Sequence, residues 1–312
     1  MALAEYTLHI VKGVKKSFDL AAAADILKYR DARIFTIEDT SEWTEIFNST
    51  ESMTGVTSLN ETDAPAILSQ EEGYTVTLSN TRFGGAITIT ENDMVRAKDS
   101  TVMVDKFVQR KRDNLLTENR HYFLTEIFKL YNTAFSNGTF TAPDGVELCG
   151  VHVWATGASY GFTNYTTDVL DEAGIAALEE YAGALTDASN KPMPQNFDTI
   201  VVKKGSANAR SAKQIFGMNG MVPTSVGDIN IYEGAYTLVE TPYISTANKL
   251  YWFALATSQF VNPLYVGITK MPSMNEPVLA LNNSITSNAT GYFKVGISHM
   301  PIGVYGSIGT GA

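Results

Sequence analysis

A stretch of the chain that contains neither glycine nor proline runs from Asn92 to Phe135 and reads NDMVRAKDSTVMVDKFVQRKRDNLLTENRHYFLTEIFKLYNTAF. Its apolar residues recur largely at spacings of three, four and seven, which is typical of one face of a helix. Asn137 and Gly138 follow as a stop signal. An unbroken helix of about 44 residues would be roughly 66 Å long, which exceeds the roughly 50 Å diameter of a compact globule of this chain length. The sequence therefore predicts either a helix that breaks over Asp113–Asn119, where the apolar spacing lapses, or an elongated molecule.

The residues directly before this helix carry a strand pattern and a helix start signal. Phe83–Thr90, FGGAITIT, alternates towards its end as a strand does. Thr90 is followed three residues later by Asp93, which matches a capping box. A strand that leads straight into the long helix is therefore predicted.

A second alternating run lies upstream of that strand. In Tyr74–Ser79 apolar residues alternate with Thr and Ser, and Asn80–Gly85 supplies turn residues. We predict a long hairpin in which the first run pairs with the strand that contains Ile87 and Ile89.

The predicted hairpin carries a net negative charge. Its charged residues are four acidic ones and a single Arg: Glu61, Asp63, Glu71, Glu72 and Arg82. An ordinary surface hairpin is one interpretation, and a contact with a basic partner is the other.

The densest basic cluster lies on the predicted long helix and consists of Lys106, Arg110, Lys111 and Arg112. The spacing of four places Lys106 beside Arg110 on the helix surface. The simpler interpretation is a solvated helix face. The alternative is a docking surface for the acidic hairpin of a neighbouring subunit, in which each exposed ion pair would contribute at most about 1 kcal/mol. These basic residues and the charged residues of the hairpin are therefore candidates for contacts between subunits.

The remainder of the chain mixes helix and strand patterns, which indicates the α+β class. Helices are predicted over Asp171–Leu185 and Ser206–Phe216. The predicted strands are Val146–Trp154, Thr199–Val202, Asp228–Tyr232, Ala235–Glu240, Leu250–Leu255, Leu264–Ile268 and Gly291–Ser298. Residues 1–52 do not look like a self-sufficient domain, and we expect an arm that packs on something else, with a small N-terminal subdomain as the alternative.

The composition excludes several functional classes. The chain of 312 residues has 23 Lys and Arg against 33 Asp and Glu, a net charge of −10, which disfavours nucleic-acid binding as the main function. No apolar run approaches the roughly 20 residues needed to cross a bilayer, so we expect no membrane protein. Residues 1–6 show no secretory signal. The single cysteine, Cys149, can neither close an intrachain disulfide nor supply a Cys-rich metal site.

One motif resembles a catalytic site. Gly157–Gly161, GASYG, matches the G-x-S-x-G pattern, in which the serine, here Ser159, lies on a sharp turn between a strand and a helix. The residues that follow have no helical character. The four histidines show no metal-ligand spacing, and no nucleotide-binding loop occurs. We therefore expect no enzyme, no cofactor and no metal, with an α+β serine hydrolase as an alternative.

The order of these parts resembles the major capsid protein of tailed bacteriophages, the Hong Kong 97 phage capsid fold. The resemblance covers the chain from Met53 to the C-terminus and depends on the order and spacing of loose patterns. The segments that carry it are Phe83–Thr90, Asn137–Gly138 with Asp144–Val146, Asp171–Leu185 with Thr199–Val202, Asp228–Glu240, and Tyr292–Ile297.

The resemblance implies a division of the chain into five parts. They are an N-terminal arm over 1–52, an extended hairpin (the E-loop) over 53–85, a peripheral (P) domain over 86–168 with a spine helix over 92–135, an axial (A) domain over 169–282, and return strands to the P-domain over 283–312.

The resemblance also implies a function and a set of partners. We expect a structural protein that self-assembles, as hexamers and pentamers, into the icosahedral head of a virion around double-stranded DNA that it does not bind specifically. Portal, scaffolding and decoration proteins are possible partners, and assembly would take place in the host cytoplasm. Only about 50 residues precede the hairpin, which implies a separate scaffolding protein or none. Residues 53–85 contain no Lys, so we expect no covalent cross-link of the kind that some relatives form.

An encapsulin-type nanocompartment shell is the alternative within the same fold. Its N-terminal helix would receive cargo enzymes, and Asp19–Tyr29 could serve as that helix.

Overall fold

The computed structural model describes residues 28–50, 72–96, 101–136, 138–154, 160–217, 232–258, 262–275, 278–280 and 284–310. Within these ranges the chain mixes helices with strands, as the α+β prediction requires. None of the helices in the described part is long and apolar enough to cross a membrane.

The long helical stretch begins with the predicted capping box. The backbone N–H of Thr90 donates to Asp93 Oδ2 over 3.2 Å, and the N–H of Asp93 donates to Thr90 Oγ1 over 3.3 Å. Helix α1 spans Glu91–Arg96, and helix α2 spans Thr101–Asn132, which is 32 residues or roughly 48 Å. Residues 97–100 lie outside the described residues.

The predicted break over Asp113–Asn119 is wrong, because α2 continues through it. Thr117 Oγ1 donates to the carbonyl of Asp113 over 2.8 Å, and Asn119 Nδ2 donates to the carbonyl of Leu115 over 2.9 Å. The polar side chains that interrupt the apolar spacing therefore bond to the preceding turn of their own helix.

One sheet is organised around the strand β13. Its members are β1 (Thr36–Asp39), β4 (Thr81–Ile89), β11 (Leu264–Met274), β12 (Val278–Leu279) and β13 (Ile285–Ile297). Strand β13 pairs antiparallel with β4 along one edge and with β11 and β12 along the other, and β1 pairs parallel with β11.

The predicted pairing of the hairpin is wrong. Strand β3 (Glu72–Ser79) pairs antiparallel with β2 (Thr44–Thr50), and we call these two strands the ribbon. Only Asn80 separates β3 from β4, and β4 pairs with β13 instead.

Gly84 and Gly85 are therefore not turn residues. They allow close approach, because a Cβ on Gly84 would collide with the carbonyl oxygen of Ala289 and one on Gly85 would lie 2.6 Å from Leu115 Cδ1.

A second sheet and two helices form the other half of the described structure. The helices are α3 (Glu172–Ala184) and α4 (Ala207–Phe216). The strands, in their spatial order, are β7 (Tyr165–Thr166), β14 (Val304–Ser307), β10 (Trp252–Leu255), β8 (Thr199–Lys203) and β9 (Thr237–Thr241). Strands β5 (Val151–Val153) and β6 (Gly161–Thr163) form a separate hairpin.

The local signals for α3 and α4 are confirmed. Asp171 caps α3 by accepting from the N–H of Gly174 over 2.8 Å, and Ser206 caps α4 by accepting from the N–H of Ala209 over 3.0 Å. Of the predicted strand Asp228–Tyr232, residues 228–231 lie outside the described residues, and Tyr232 lies in a turn.

The main core lies between α2 and both sheets. It is rich in aromatic rings that meet edge to face, such as Phe35 with Phe128 at 5.2 Å and Phe123 with Phe293 at 5.0 Å between ring centroids. Tyr131 is fully buried, and its hydroxyl donates to the carbonyl of Ile34 over 2.9 Å. The described part of the predicted arm therefore packs on its own chain.

We expect Gly84→Ala to lower the free energy of unfolding by about 1–3 kcal/mol, because the methyl group forces β4 away from β13. Gly183→Ala is the matched control: Gly183 lies exposed in α3, and a Cβ there meets nothing within 4 Å. The control should leave stability unchanged or raise it by up to about 1 kcal/mol. Urea denaturation measures both, and equal stabilities of the two variants would contradict the close approach.

Candidate subunit-contact surface

Of the four acidic candidates, Glu72 alone lies among the described residues. Glu61, Asp63 and Glu71 lie outside the described residues. Glu72 is the first residue of β3 and lies at the end of the ribbon that is distant from Asn80. Their role in contacts between subunits stays a prediction.

The four basic candidates all lie on α2. The side chain of Arg110 is exposed, whereas Lys111 is half-buried. Lys111 Nζ donates to the carbonyl of Thr88 over 2.8 Å and lies 3.6 Å from Asp93 Oδ2. Lys111 thus ties α2 to the end of β4 and the start of α1 within its own chain. For Lys106 and Arg112 only the position on the helix is described.

Arg82 does not lie on the ribbon with the acidic residues. It is exposed on β4, opposite Tyr292 of β13. There it borders an open groove of about 710 Å³ between β4 and α2, whose other walls include Glu118 and the exposed ring of Tyr122. Arg82 therefore belongs to the body of the molecule and not to the ribbon. The sequence between Glu51 and Thr81 contains no positively charged residue.

The base of the ribbon is attached to the body by a buried ion pair. Lys294, on β13, has a side chain that is 0% exposed, and its Nζ lies 3.0 Å from Oε1 of Glu45, on β2, whose side chain is 16% exposed. The same Nζ donates to the carbonyl of Glu42 over 2.7 Å. A buried ammonium group requires such partners, since an unpaired charge in a protein interior is very costly.

The charge on Glu45 is favoured by this environment. Burial by itself would raise the pKa of Glu45, but hydrogen bonds from Thr40, Tyr265 and Lys294, together with the positive charge of Lys294, outweigh it and lower the pKa below the ordinary value of 4.5. Glu45 is therefore ionised at neutral pH, as its ion pair with Lys294 requires.

Apolar contacts continue the attachment along the ribbon. Leu78 packs against the backbone of Gly296, where a Cβ would collide with Leu78 Cδ2. The ring of Phe47 lies 4.9 Å from that of Tyr265 and 5.6 Å from that of His299. One face of the ribbon is thus bound to the sheet of β11 and β13.

The opposite face of the ribbon is exposed and carries no charge. It presents the side chains of Thr44, Ile46, Asn48, Thr75, Thr77 and Ser79. Ile46, which is 65% exposed, is the one large apolar side chain among these six.

Sequence reasoning missed Lys294. A lysine in a strand is normally read as an exposed residue. The sequence FKVGI over Phe293–Ile297 keeps the alternation of an ordinary half-buried strand, and the structure alone shows that the buried positions of β13 stop alternating at Lys294. That change occurs because the ribbon covers the second face of the strand.

The hairpin of β5 and β6 bears on the hydrolase alternative. His152 and Asp144 have fully buried side chains, and His152 Nδ1 lies 2.9 Å from Asp144 Oδ2. His152 Nε2 faces the carbonyl of Leu148 at 3.4 Å, and its ring stacks on Phe162. A serine nucleophile needs access to Nε2, which this arrangement blocks.

The residues after Ser159 also contradict the catalytic motif. Residues 155–159 lie outside the described residues, but Gly161–Thr163 form a strand antiparallel to β5 and not the helix that a nucleophile elbow requires. Among the described residues, no group of three or more His, Cys, Asp or Glu side chains is arranged to hold a metal ion.

We expect Glu45→Gln to lower the free energy of unfolding by about 3–5 kcal/mol, because Lys294 would stay buried without its counter-ion. Lys294→Met should cost less, since Met fills the space of the lysine side chain and the side chain of Glu45, unlike that of Lys294, is not completely buried. Urea denaturation at pH 7 compares the two variants. A larger loss in Lys294→Met would contradict this account of the pair.

A second prediction concerns acid. Burial acts to raise the pKa of Asp144, but the hydrogen bond and charge of His152 and two backbone N–H donors outweigh it and lower the pKa below the ordinary 3.8. We expect Asp144→Asn to cost about 1.5–3 kcal/mol at pH 7. Because the folded pKa is depressed, this difference should be complete above about pH 4 and shrink as the pH falls through the folded value. A difference that stays constant in acid denaturation curves down to about pH 2 would contradict it.

The sequence matches no protein-family model and no curated protein sequence. Solved structures do match the fold. A structure from Mycobacterium phage Patience is 14% identical, with 95% of this chain and 87% of that chain covered and a TM-score of 0.53. The Cyanophage Pam1 capsid asymmetric unit is 12% identical, with 89% of each chain covered and a TM-score of 0.52.

The capsid structure of the Cyanophage P-SCSP1u is 9% identical, with 88% of this chain and 86% of that chain covered and a TM-score of 0.52. At these identities the similarity lies in the fold, which extends over most of each chain. The resemblance indicated by the sequence is confirmed at that level: this chain has the fold found in phage capsid structures.

Proposed function

We propose that this chain is the structural subunit of a tailed-phage head, which self-assembles into an icosahedral shell around double-stranded DNA. The observation that carries the proposal is the shared fold, which covers 88% or more of this chain in each capsid comparison. The subunit would form hexamers and pentamers and would reside in the virion after assembly in the host cytoplasm. Portal, scaffolding and decoration proteins are its proposed partners.

The charge distribution supports contacts between copies. Each copy carries a net charge of −10, so copies repel one another unless unlike charges are brought together locally. All charged side chains between Glu51 and Thr81 are acidic, whereas α2 carries the basic cluster. We propose that the acidic end of one ribbon docks on Lys106, Arg110 and Arg112 of the next subunit.

The strength of these contacts suits a shell. An exposed ion pair contributes at most about 1 kcal/mol, and a closed shell repeats each contact in every subunit. Many weak contacts can therefore add up to a stable particle while wrongly placed subunits still dissociate. The same negative charge would keep packaged DNA from binding tightly to the inner surface.

Imaging and sedimentation of the expressed protein test the function. Closed icosahedral particles in negative-stain micrographs, with genome-length DNA in particles from infected cells, are expected. Particles that hold protein cargo would favour an encapsulin-type shell. Only monomers under all conditions that promote head assembly would overturn the proposal.

Charge reversal tests the docking contact. Glu71→Lys with Glu72→Lys should reduce the yield of closed shells at least tenfold while the subunit stays folded, because the ribbon end would then repel the basic cluster. Glu179→Lys with Glu180→Lys is the matched control, because it reverses two consecutive exposed charges on α3.

Adding Lys106→Glu and Arg110→Glu to the first variant should restore assembly. Normal shells from the first variant, or an equal loss in the control, would count against this contact.

A further inference from the structure

The ribbon is held to the body by polar contacts at its base and by apolar contacts along one face, which include Tyr74 against the cluster of Phe162, Leu185 and Met300. On the β2 side, Lys294 Nζ binds Glu45 Oε1 and the carbonyl of Glu42. On the β3 side, the N–H of Asn80 donates to the carbonyl of Trp43 over 3.2 Å, and Thr269 Oγ1 donates to Asn80 Oδ1 over 2.9 Å. The base is thus connected by polar contacts to β13 and to β11.

We propose that the buried pair of Glu45 and Lys294 sets the direction in which the ribbon leaves the body. The two side chains are positioning residues for the contact between subunits, and this part of the inference rests on the proposed function. The pair acts on the angle of the ribbon, not on the docking surface itself.

The apolar contacts of the ribbon specify its direction less sharply than the ion pair does. Leu78 against Gly296 and Phe47 against Tyr265 are apolar contacts, which tolerate small shifts because dispersion and burial have little directional preference. The ammonium group of Lys294 tolerates no comparable shift, since moving the ribbon would leave it buried without a partner. The ion pair therefore restricts the position of the ribbon more sharply than the apolar contacts do.

The length of the ribbon amplifies an error at the base. Strand β2 has seven residues, which at roughly 3.3 Å per residue extend over about 23 Å. A tilt of about 10° at the base would then move the far end by roughly 4 Å. Such a displacement separates an ion pair whose atoms must lie within about 4 Å.

Energetics separate this role from simple stabilisation. Replacing a buried ion pair by apolar side chains of similar volume is often neutral or stabilising, so an effect on the ribbon direction can be measured apart from an effect on stability. The double variant Glu45→Leu with Lys294→Met should accordingly keep or raise the unfolding midpoint. It should nevertheless assemble poorly, with at least a tenfold lower yield of closed shells or a large share of malformed ones.

The matched control replaces an ion pair elsewhere. Lys213 on α4 and Glu240 on β9 form a pair in which the Lys side chain is mostly exposed. Lys213→Met with Glu240→Leu should change neither the unfolding midpoint nor the shell yield appreciably. Normal shells from the Glu45 and Lys294 double variant, or a loss of shells that only follows a lowered unfolding midpoint, would overturn the inference.

A distance measurement tests the direction without assembly. Spin labels would be attached to Thr75→Cys, exposed on the ribbon farther from its base, and Ser136→Cys, exposed after α2. The native Cys149 would stay unlabelled, because it is 2% exposed and burial raises the pKa of its thiol.

The distance distribution in the unassembled subunit should be narrow for the wild-type pair and at least twice as broad for the double variant. An unchanged distribution would overturn the inference even if the wild-type protein forms no shells. If the distribution broadens while the wild-type protein forms no shells, the proposed function fails and the effect of the pair on ribbon direction stands.

Discussion

Strand β13 has to satisfy neighbours on both edges and on both faces, and this constraint organises the described structure. Its edges bond to β4 on one side and to β11 and β12 on the other. One face contributes Phe293 to the aromatic core with α2, and the other face carries Lys294 and Gly296 under the ribbon. A single strand thereby links the long helix, the main sheet and the ribbon.

The charged contact candidates and the buried pair of Glu45 and Lys294 have different proposed roles. The charges of the basic cluster on α2 and of Glu71 and Glu72 would each contribute little to the proposed contact, which suits contacts that form in many copies. The pair of Glu45 and Lys294 is buried, and the role that we propose for it is to specify one ribbon direction and not to add net stability. The contact candidates would bind a neighbour, and the buried pair would orient the element that binds.

Buried polar groups elsewhere have structural roles. Asn164 is fully buried, and its side chain accepts from the N–H of Gly150 and donates to the carbonyls of Leu148, Pro301 and Val304. Asn164 thus connects the residues after β6 to the residues at the start of β14, and the pair of His152 and Asp144 connects β5 to the segment before it. The arrangement that resembles part of a catalytic triad is therefore explained by hydrogen-bond satisfaction in the interior.

The sequence alone determined the long helix with its capping box at Thr90, the N-caps of α3 and α4, and the strand pattern of β4, because these depend on residues only a few positions apart. The order of the elements was sufficient to indicate the capsid fold. Only the tertiary structure decided that β3 pairs with β2, that Gly84 serves a close approach and not a turn, and that Lys294 is buried against Glu45. Such choices depend on which distant strands meet, and a pattern with a period of two shows that a strand has a buried face without showing what covers it.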